Sequence, residues 1–329
     1  MKSSIYPEGM RSTPYVGSGP YCYANSFATV LGAKAPSTAV IEFATSSAFG
    51  MEIINVPRNP LIFFDPYGWD PLKSFDDALQ AMGWRCTEVV GKDEDDALRS
   101  LMTAVQNGPV FVGPVEMGLL KHQPNAHGAI GADHYVVVLG IDNDTIEMHD
   151  PHGHPYATLP LHEFMAAWKT DSLGYGKSYT MRTEFRQIEA LDEEDVILRS
   201  IPNALKHISL QATGVDSMPS GSAANEAAAK WLCDRIEVGL TDGMRAHLVY
   251  FAVQVGARRS IDAATCLSRV GYTKSATIMD SIARTIGALQ YPLTQKRDEA
   301  AVTILQRLGP MYEELRAVLE EEVKRNGTD

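Results

Sequence analysis

The stretch DHYVVVLGIDNDTIEMHDPHG, residues 133–153, decides the expected fold. Its first part, HYVVVLGI (134–141), is apolar at successive positions, which is typical of a strand buried on both faces in the middle of a sheet. The polar run DND at 142–144 is a turn signal, and TIEMHD (145–150) follows as a second strand. The stretch therefore predicts an antiparallel hairpin with one strand inside a sheet.

Two polar side chains of this hairpin are expected to meet. His134 begins the first strand and Asp150 ends the second. A three-residue turn at 142–144 would place Asp150 opposite Val136, on the face that carries His134, whereas a two-residue turn would place it on the other face. With the three-residue turn, Asp150 is within reach to orient the imidazole through its Nδ1–H. A turn role for Asp150 and a structural role for His134 are the competing interpretations.

The rest of the chain divides into a mixed part and a helical part. Helix signals, as in CYANSFATVL (22–31), and strand signals alternate up to about residue 190. After that point apolar residues recur every three or four positions, as in AAAKWLCDRIEV (227–238). We therefore expect an α+β domain with an antiparallel sheet over residues 1–190, followed by an all-helical domain over residues 191–329.

Composition and charge limit the class of protein. The 329 residues include 41 acidic and 29 basic side chains, a net charge of −12, whereas nucleic-acid binding needs clustered lysine and arginine. No run of 18 apolar residues is present, so we expect no membrane-spanning segment and no membrane partner. The N-terminal stretch lacks the apolar core of a signal peptide, and a cytoplasmic location is expected.

No metal ion and no cofactor are expected. The four cysteines show no C-x-x-C spacing, which disfavours a zinc site. His149, His152 and His154 are close in sequence, but strand alternation and the flanking prolines scatter their side chains. No G-x-G-x-x-G motif follows a strand, so a nucleotide cofactor is not predicted.

Cys22 differs from the other cysteines by its position at the start of a predicted helix, directly after the turn-forming run 17–20. The free N–H groups and the dipole of a helix N-terminus stabilise a thiolate, and the same N–H groups can bind an oxyanion. A thiolate nucleophile needs a general base, for which His134 with Asp150 is the candidate. Burial as a small apolar side chain is the competing interpretation for Cys22.

The order of these residues resembles that of the papain-like cysteine enzymes. The segments PYCYANSFATVLG (20–32), NGPVFVGPVEMGLL (107–120) and 133–153, with the helical tail, are similar to the butirosin biosynthesis protein H family and to the peptidase domains of bacteriocin-exporting transporters. The resemblance implies a papain-like first domain and acyl transfer, in antibiotic biosynthesis, from an acyl carrier protein to an amine of an aminoglycoside. It implies Cys22 as nucleophile, His134 as base and acid, and Asp150 as the residue that orients His134.

The chain also departs from that pattern. Peptidases of this fold have a glutamine six residues before the cysteine as an oxyanion donor, but Val16 stands here and has no donor. This disfavours peptide hydrolysis more than exchange of an already activated thioester. Tyr15, Ser18 and Asn25 are the alternative side-chain donors, and the backbone N–H of Cys22 is a further donor.

Two features beside the expected site have open roles. Glu116 follows the apolar strand PVFVGPV, and we expect it either to bind a cationic amine or to cap a loop. The glycine-rich segment KHQPNAHGAIGAD (121–133) is expected to form a mobile flap next to the site.

We expect a cysteine-dependent acyltransferase or cyclase that acts on a carrier-bound or small-molecule thioester, with an amine-bearing small molecule as acceptor. A cysteine peptidase or amidase of the same fold and a non-catalytic binding protein are the alternatives. The helical domain is expected to dock a carrier protein, to form a homodimer or to cover the cleft. Docking of an acidic carrier needs a basic patch such as Arg258-Arg259 or Lys296-Arg297.

Overall fold

The structure, a computed structural model, describes residues 19–56 and 60–326 and has a mixed α+β fold. Its strands, in chain order, are β1 (Glu52–Ile54), β2 (Leu61–Phe63), β3 (Trp84–Val90), β4 (Val110–Glu116), β5 (Asp133–Asp142), β6 (Thr145–Asp150), β7 (His154–Pro160), β8 (Thr180–Gln187) and β9 (Ala223–Ala224). Its α-helices are α1 (Cys22–Leu31), α2 (Thr38–Ala44), α3 (Pro71–Ala81), α4 (Glu94–Ala104), α5 (Leu161–Trp168), α6 (Glu193–Ile208), α7 (Asn225–Val238), α8 (Asp242–His247), α9 (Val253–Arg269), α10 (Thr273–Ala288), α11 (Gln290–Thr294) and α12 (Asp298–Asn326).

Internal contacts divide the chain into two units. The sheet unit consists of residues 21–41 and 82–191. The helical unit consists, among the described residues, of 19–20, 42–56, 60–81 and 192–326. The predicted division into 1–190 and 191–329 is therefore wrong for residues 19–20, 42–56 and 60–81, which belong with the C-terminal helices.

The sheet unit is built on an antiparallel sheet with the strand order β3-β8-β4-β5-β6-β7. The apolar run HYVVVLGI lies in β5, which pairs with β4 on one side and β6 on the other, so the predicted interior strand is confirmed. On one face of these strands, valines such as Val112, Val136 and Val138 are buried against Phe164 and Trp168 of α5.

Helix α1 packs on the opposite face of the sheet. Phe111 points away from its neighbours Val110 and Val112 because side chains alternate along a strand, and its ring stacks on Phe27 of α1 with the centroids 4.4 Å apart. The Ser26 hydroxyl donates a hydrogen bond of 3.1 Å to the carbonyl oxygen of Tyr135. The helix spans the predicted residues 22–31, and these contacts fix its start against β5.

The β5–β6 hairpin reaches the expected pairing by an unexpected route. Asp142 pairs with Thr145, which leaves a turn of two residues instead of the predicted three. The register then shifts by one between Val138 and Gly140, as a β-bulge does, so that Val137 pairs with His149. Asp150 therefore falls opposite Val136, since the bulge supplies the residue that the turn lacks.

The helical unit contains helices α3 and α6 to α12 and a small sheet with the strand order β2-β1-β9. The predicted helical character of the chain after residue 190 is confirmed for residues 192–326, apart from the two-residue strand β9. Of the helices in the described ranges, none combines the length and the apolar character that crossing a bilayer requires.

A buried ionic cluster explains why residues 42–81 belong with the C-terminal helices. Arg259 of α9 donates to Glu42 at 2.7 Å and to Asp65 at 3.3 Å. Its guanidinium also lies over the ring of Trp69, 5.3 Å from the centroid. All three charged side chains are buried. Arg259 therefore cannot serve in the predicted Arg258-Arg259 docking patch, because its charge is used inside the helical unit.

Candidate functional site

Cys22 occupies the first position of α1 and is half-buried. The first backbone hydrogen bond of this helix runs from the N–H of Asn25 to the carbonyl oxygen of Tyr21, at 2.9 Å. The N–H groups at the first positions of a helix have no acceptor within the helix. The Cys22 thiol therefore lies at the end of α1 where N–H groups and the positive end of the helix dipole favour negative charge.

His134 at the start of β5 connects Cys22 with Asp150. Its Nε2 lies 2.7 Å from Oδ1 of Asp150, and the Cys22 thiol is near enough to the ring to raise the His134 pKa as a hydrogen-bond partner and as a charge. The prediction that Nδ1 would face the carboxylate is wrong. His134 and Asp150 are diagonal across the two strands, a separation that favours the more distant ring nitrogen.

The surroundings of His134 favour its charged form. Burial by itself would lower the pKa of this imidazole, but hydrogen bonds to Asp150 and Cys22 and their charges raise it to about 10. Only 4% of His134 is exposed, so water screens these interactions weakly. The arrangement is that of an imidazolium held between a carboxylate and a thiol.

Asp150 accepts four hydrogen bonds in a fully buried position. Oδ1 accepts from His134 and from the backbone N–H of His152, at 2.8 Å. Oδ2 lies 2.7 Å from Nε2 of His122 and accepts from Nε2 of Gln123 at 2.7 Å. Burial raises the pKa of this carboxyl, but the hydrogen bonds from His122 and His134 outweigh it and hold the pKa well below its ordinary value. Asp150 thus fills both roles considered for it, since the His152 contact stabilises the following turn.

His122 and Gln123 also belong to the site, although the sequence did not predict them there. Both belong to the segment 121–133, for which we predicted a mobile flap. The flap prediction rested on glycine and asparagine content, and no local pattern indicates that these two side chains turn back to Asp150. Only the contact with a strand 27 and 28 residues further along the chain identifies them.

Glu116 is a loop clamp, which is the second of the two roles considered for it. Its side chain is buried, with Oε1 accepting from the N–H groups of Gly118 and Ile130 at 3.0 Å each. Oε2 accepts from the N–H of Gly131 at 2.9 Å and from the hydroxyl of Ser172. Burial opposes ionisation of Glu116, yet these donors lower its pKa. With both oxygens occupied, no acceptor is left for a ligand.

Of the three side chains considered as oxyanion donors, only Asn25 lies among the described residues. Asn25 lies one turn after Cys22 in α1 and is half-buried. Tyr15 and Ser18, the other two side chains considered, lie outside the described residues, as does Val16. Within the described part, the candidate donors near the thiol are therefore the backbone N–H groups at the start of α1 and the side chain of Asn25.

Four imidazoles surround Asp150 without forming a metal centre. The rings of His134 and His152 lie 5.9 Å apart, and those of His122 and His154 lie 5.4 Å apart. Across residues 19–56 and 60–326, no group of three or more histidine, cysteine or acidic side chains has an arrangement that could hold a metal ion.

The raised pKa of His134 makes stability depend on pH. Native His134 keeps its proton up to about pH 10, whereas an unfolded histidine loses it near pH 6.5. The stabilising contribution of the protonated ring is therefore complete below about pH 6.5 and is lost as the pH rises towards 10. We expect urea unfolding to show a larger loss of stability for His134→Gln at about pH 6 than at about pH 9. A loss that stays constant or grows with pH would contradict this.

Comparison with known proteins connects this chain with YobF. Residues 219–320, within the helical unit, match the family described as the YobF C-terminal domain. The chain is also 28% identical over 252 residues to the uncharacterized protein YobF of Bacillus subtilis (strain 168). That match covers 75% of this chain and 79% of the relative. The chain is thus similar to YobF over most of its length, and its C-terminal helices are similar to the domain named after YobF.

Proposed function

We propose that this protein is a cysteine-dependent acyltransferase that forms an acyl-enzyme on Cys22. The observation that carries the proposal is the proximity of the Cys22 thiol, at the start of α1, to an imidazole that a carboxylate holds at 2.7 Å. A nucleophile, a base and a residue that orients the base are the parts that covalent acyl transfer requires. The order of the three residues, together with the antiparallel sheet, supports a papain-like assignment for the sheet unit.

In the first step the Cys22 thiolate attacks the carbonyl carbon of a thioester. A carbon–sulfur bond forms to Cys22, and the negative charge moves to the carbonyl oxygen, where the N–H groups at the start of α1 can stabilise it. The carbon–sulfur bond to the donor then breaks. The departing thiolate takes a proton from the His134 imidazolium, leaving acyl-Cys22 and neutral His134.

In the second step an amine attacks acyl-Cys22. The neutral His134 imidazole accepts a proton from the attacking nitrogen, an amide bond forms, and Cys22 leaves as a thiolate. Asp150 keeps the imidazole in place through both proton transfers and stabilises its charged form. Water as the acceptor would give hydrolysis, and an amine within the donor itself would give a cyclic product.

The donor and acceptor follow from the chemistry and from the resemblance noted in the sequence. A carrier-bound thioester and an amine-bearing small molecule, as in secondary metabolite biosynthesis, are the proposed substrates. Lys296 and Arg297 are exposed on the helical unit and offer positive charge to an acidic carrier. Glu116 takes no part in amine binding in this proposal, because both its oxygens are occupied.

Incubation with an acyl thioester of N-acetylcysteamine is expected to add one acyl group to Cys22. Intact-protein mass spectrometry measures the added mass, and peptide mapping locates it. Cys22→Ala is expected to remain unmodified, while Cys86→Ala, which removes another half-buried thiol, is labelled like the wild type. Equal labelling of wild type and Cys22→Ala would contradict the proposal.

A second arm of the same experiment separates the alternatives. Addition of a primary amine to the acylated protein is expected to release the acyl group as an amide faster than water releases it as an acid. Turnover of peptides by the wild type but not by Cys22→Ala would favour a cysteine peptidase or amidase. An unreactive Cys22 in every assay would favour a binding protein.

A further inference from the structure

A second imidazole shares the carboxylate that orients His134. Nε2 of His122 and Nε2 of Gln123 both lie 2.7 Å from Oδ2 of Asp150, on the oxygen that His134 does not use. The proposed acyl transfer assigns no role to either residue. Both belong to the loop that connects β4 with β5.

The contact is buried and specific for Nε2. The side chain of His122 is 8% exposed and that of Asp150 is 0% exposed. Among the described residues, the buried Nδ1 of His122 has no hydrogen-bond partner. Leaving a buried ring nitrogen without a partner costs free energy. The hydrogen bond through Nε2 and the packing of the ring against His154 must therefore offset this cost and hold His122 in this position.

The loop that carries His122 is fixed at both of its ends. Glu116 accepts hydrogen bonds from Gly118 at the start of the loop and from Ile130 and Gly131 at its end. The N–H of Gly128 donates to the carbonyl oxygen of Gly118 at 3.1 Å, and a side chain at Gly118 would collide with the carbonyl oxygen of Gly128. The Glu116 clamp thus provides rigid support for His122.

We infer that His122 is a positioning residue, which with Gln123 fixes the rotation of the Asp150 carboxylate and through it the His134 ring that faces Cys22. A carboxylate that accepts two hydrogen bonds on each oxygen has all of its acceptor positions filled, so any rotation breaks hydrogen bonds. Loss of the donors on Oδ2 would let the carboxylate turn or bind water, and His134 would lose its alignment. This role rests on the proposed pairing of Cys22 with His134.

The reactivity of Cys22 tests this inference without any acyl substrate. Iodoacetamide alkylation at about pH 6 is followed by mass spectrometry of the peptide that contains Cys22. We expect His122→Ala to slow alkylation about tenfold, because small losses of alignment at a reacting group have effects of this order or larger. His122→Gln keeps a side-chain N–H donor and is expected to restore the rate to within about twofold of the wild type.

A double-mutant cycle separates positioning from folding. In a His134→Ala background, His122→Ala is expected to change the rate by less than about twofold, because the imidazole through which it acts is gone. His127→Ala, on the same loop but exposed, is the matched control and is expected to react like the wild type. Thermal melts followed by circular dichroism establish that each variant is folded.

The outcomes distinguish this inference from the proposed function. Equal slowing by His122→Ala in both backgrounds would overturn the inference, since the residue would then act by a route other than His134. If Cys22 is alkylated at the wild-type rate in His122→Ala but slowly in His134→Ala, this inference would be overturned and the proposed function would stand. If Cys22 is alkylated at the wild-type rate in His134→Ala, the thiol is not paired with the imidazole, and both proposals would fail together.

Discussion

His134→Ala is expected to slow the acylation of Cys22 by a thioester about 10²- to 10⁴-fold at neutral pH, the range for loss of a general acid–base group. The variant loses both the charge that stabilises the thiolate and the proton donor for the departing thiol. Rapid-quench mass spectrometry, with the protein in excess over the thioester, measures this single chemical step.

Two controls accompany this measurement. His162→Ala removes an exposed histidine from α5 of the same unit and is expected to leave the rate unchanged. Added imidazole is expected to restore part of the rate in His134→Ala, since a small molecule can supply the missing base. A His134→Ala protein that is acylated as fast as the wild type would remove His134 from the mechanism.

Arg259→Leu is expected to destabilise the helical unit by about 3–5 kcal/mol, the cost of breaking a buried ion pair from one side. The change leaves Glu42 and Asp65 buried without the guanidinium that faces both of them. Glu52 stays neutral beside Asp65, because burial and the charge of Asp65 raise its pKa to about 10, and it supplies no positive charge in place of the guanidinium. Urea unfolding at neutral pH, followed by circular dichroism, measures the loss.

Matched variants test whether charge or packing is responsible. Arg316→Leu removes an arginine whose side chain is 40% exposed and that pairs with Glu313, and it is expected to cost less than about 1 kcal/mol. Glu42→Leu combined with Arg259→Leu is expected to cost less than the sum of the two single changes, because removing both partners leaves fewer unpaired charges. Additive losses would show that the Glu42–Arg259 pair is not coupled.

The residues of the candidate site could be predicted to different extents. Cys22, His134 and Asp150 were predicted because each stands at the end of a strongly patterned helix or strand, and such an end is visible in local sequence. The sequence left two roles open for Glu116 because its partners are backbone N–H groups of Gly118, Ile130 and Gly131. Backbone donors carry no signal in the side-chain pattern, so a buried loop clamp and a ligand site look alike in sequence.

The division into units shows the same limit on a larger scale. Residues 42–81 resemble a continuation of the N-terminal domain because strand and helix signals alternate there as before. Arg259 binds Glu42 and Asp65 across 217 and 194 residues of sequence, and this decides that the segment belongs with α9. Only the folded chain brings such distant charges together.

The sequence by itself determined the α+β class, helix α1, the interior strand β5 and the helical character after residue 190. These properties follow from the spacing of apolar side chains, which acts over a few residues. The tertiary structure alone decided the face on which Asp150 lies, because a turn of two residues and a register shift after Val138 compensate each other. It also decided that Nε2 of His134 meets Asp150 and that His122 joins them, since both depend on packing between segments far apart in the chain.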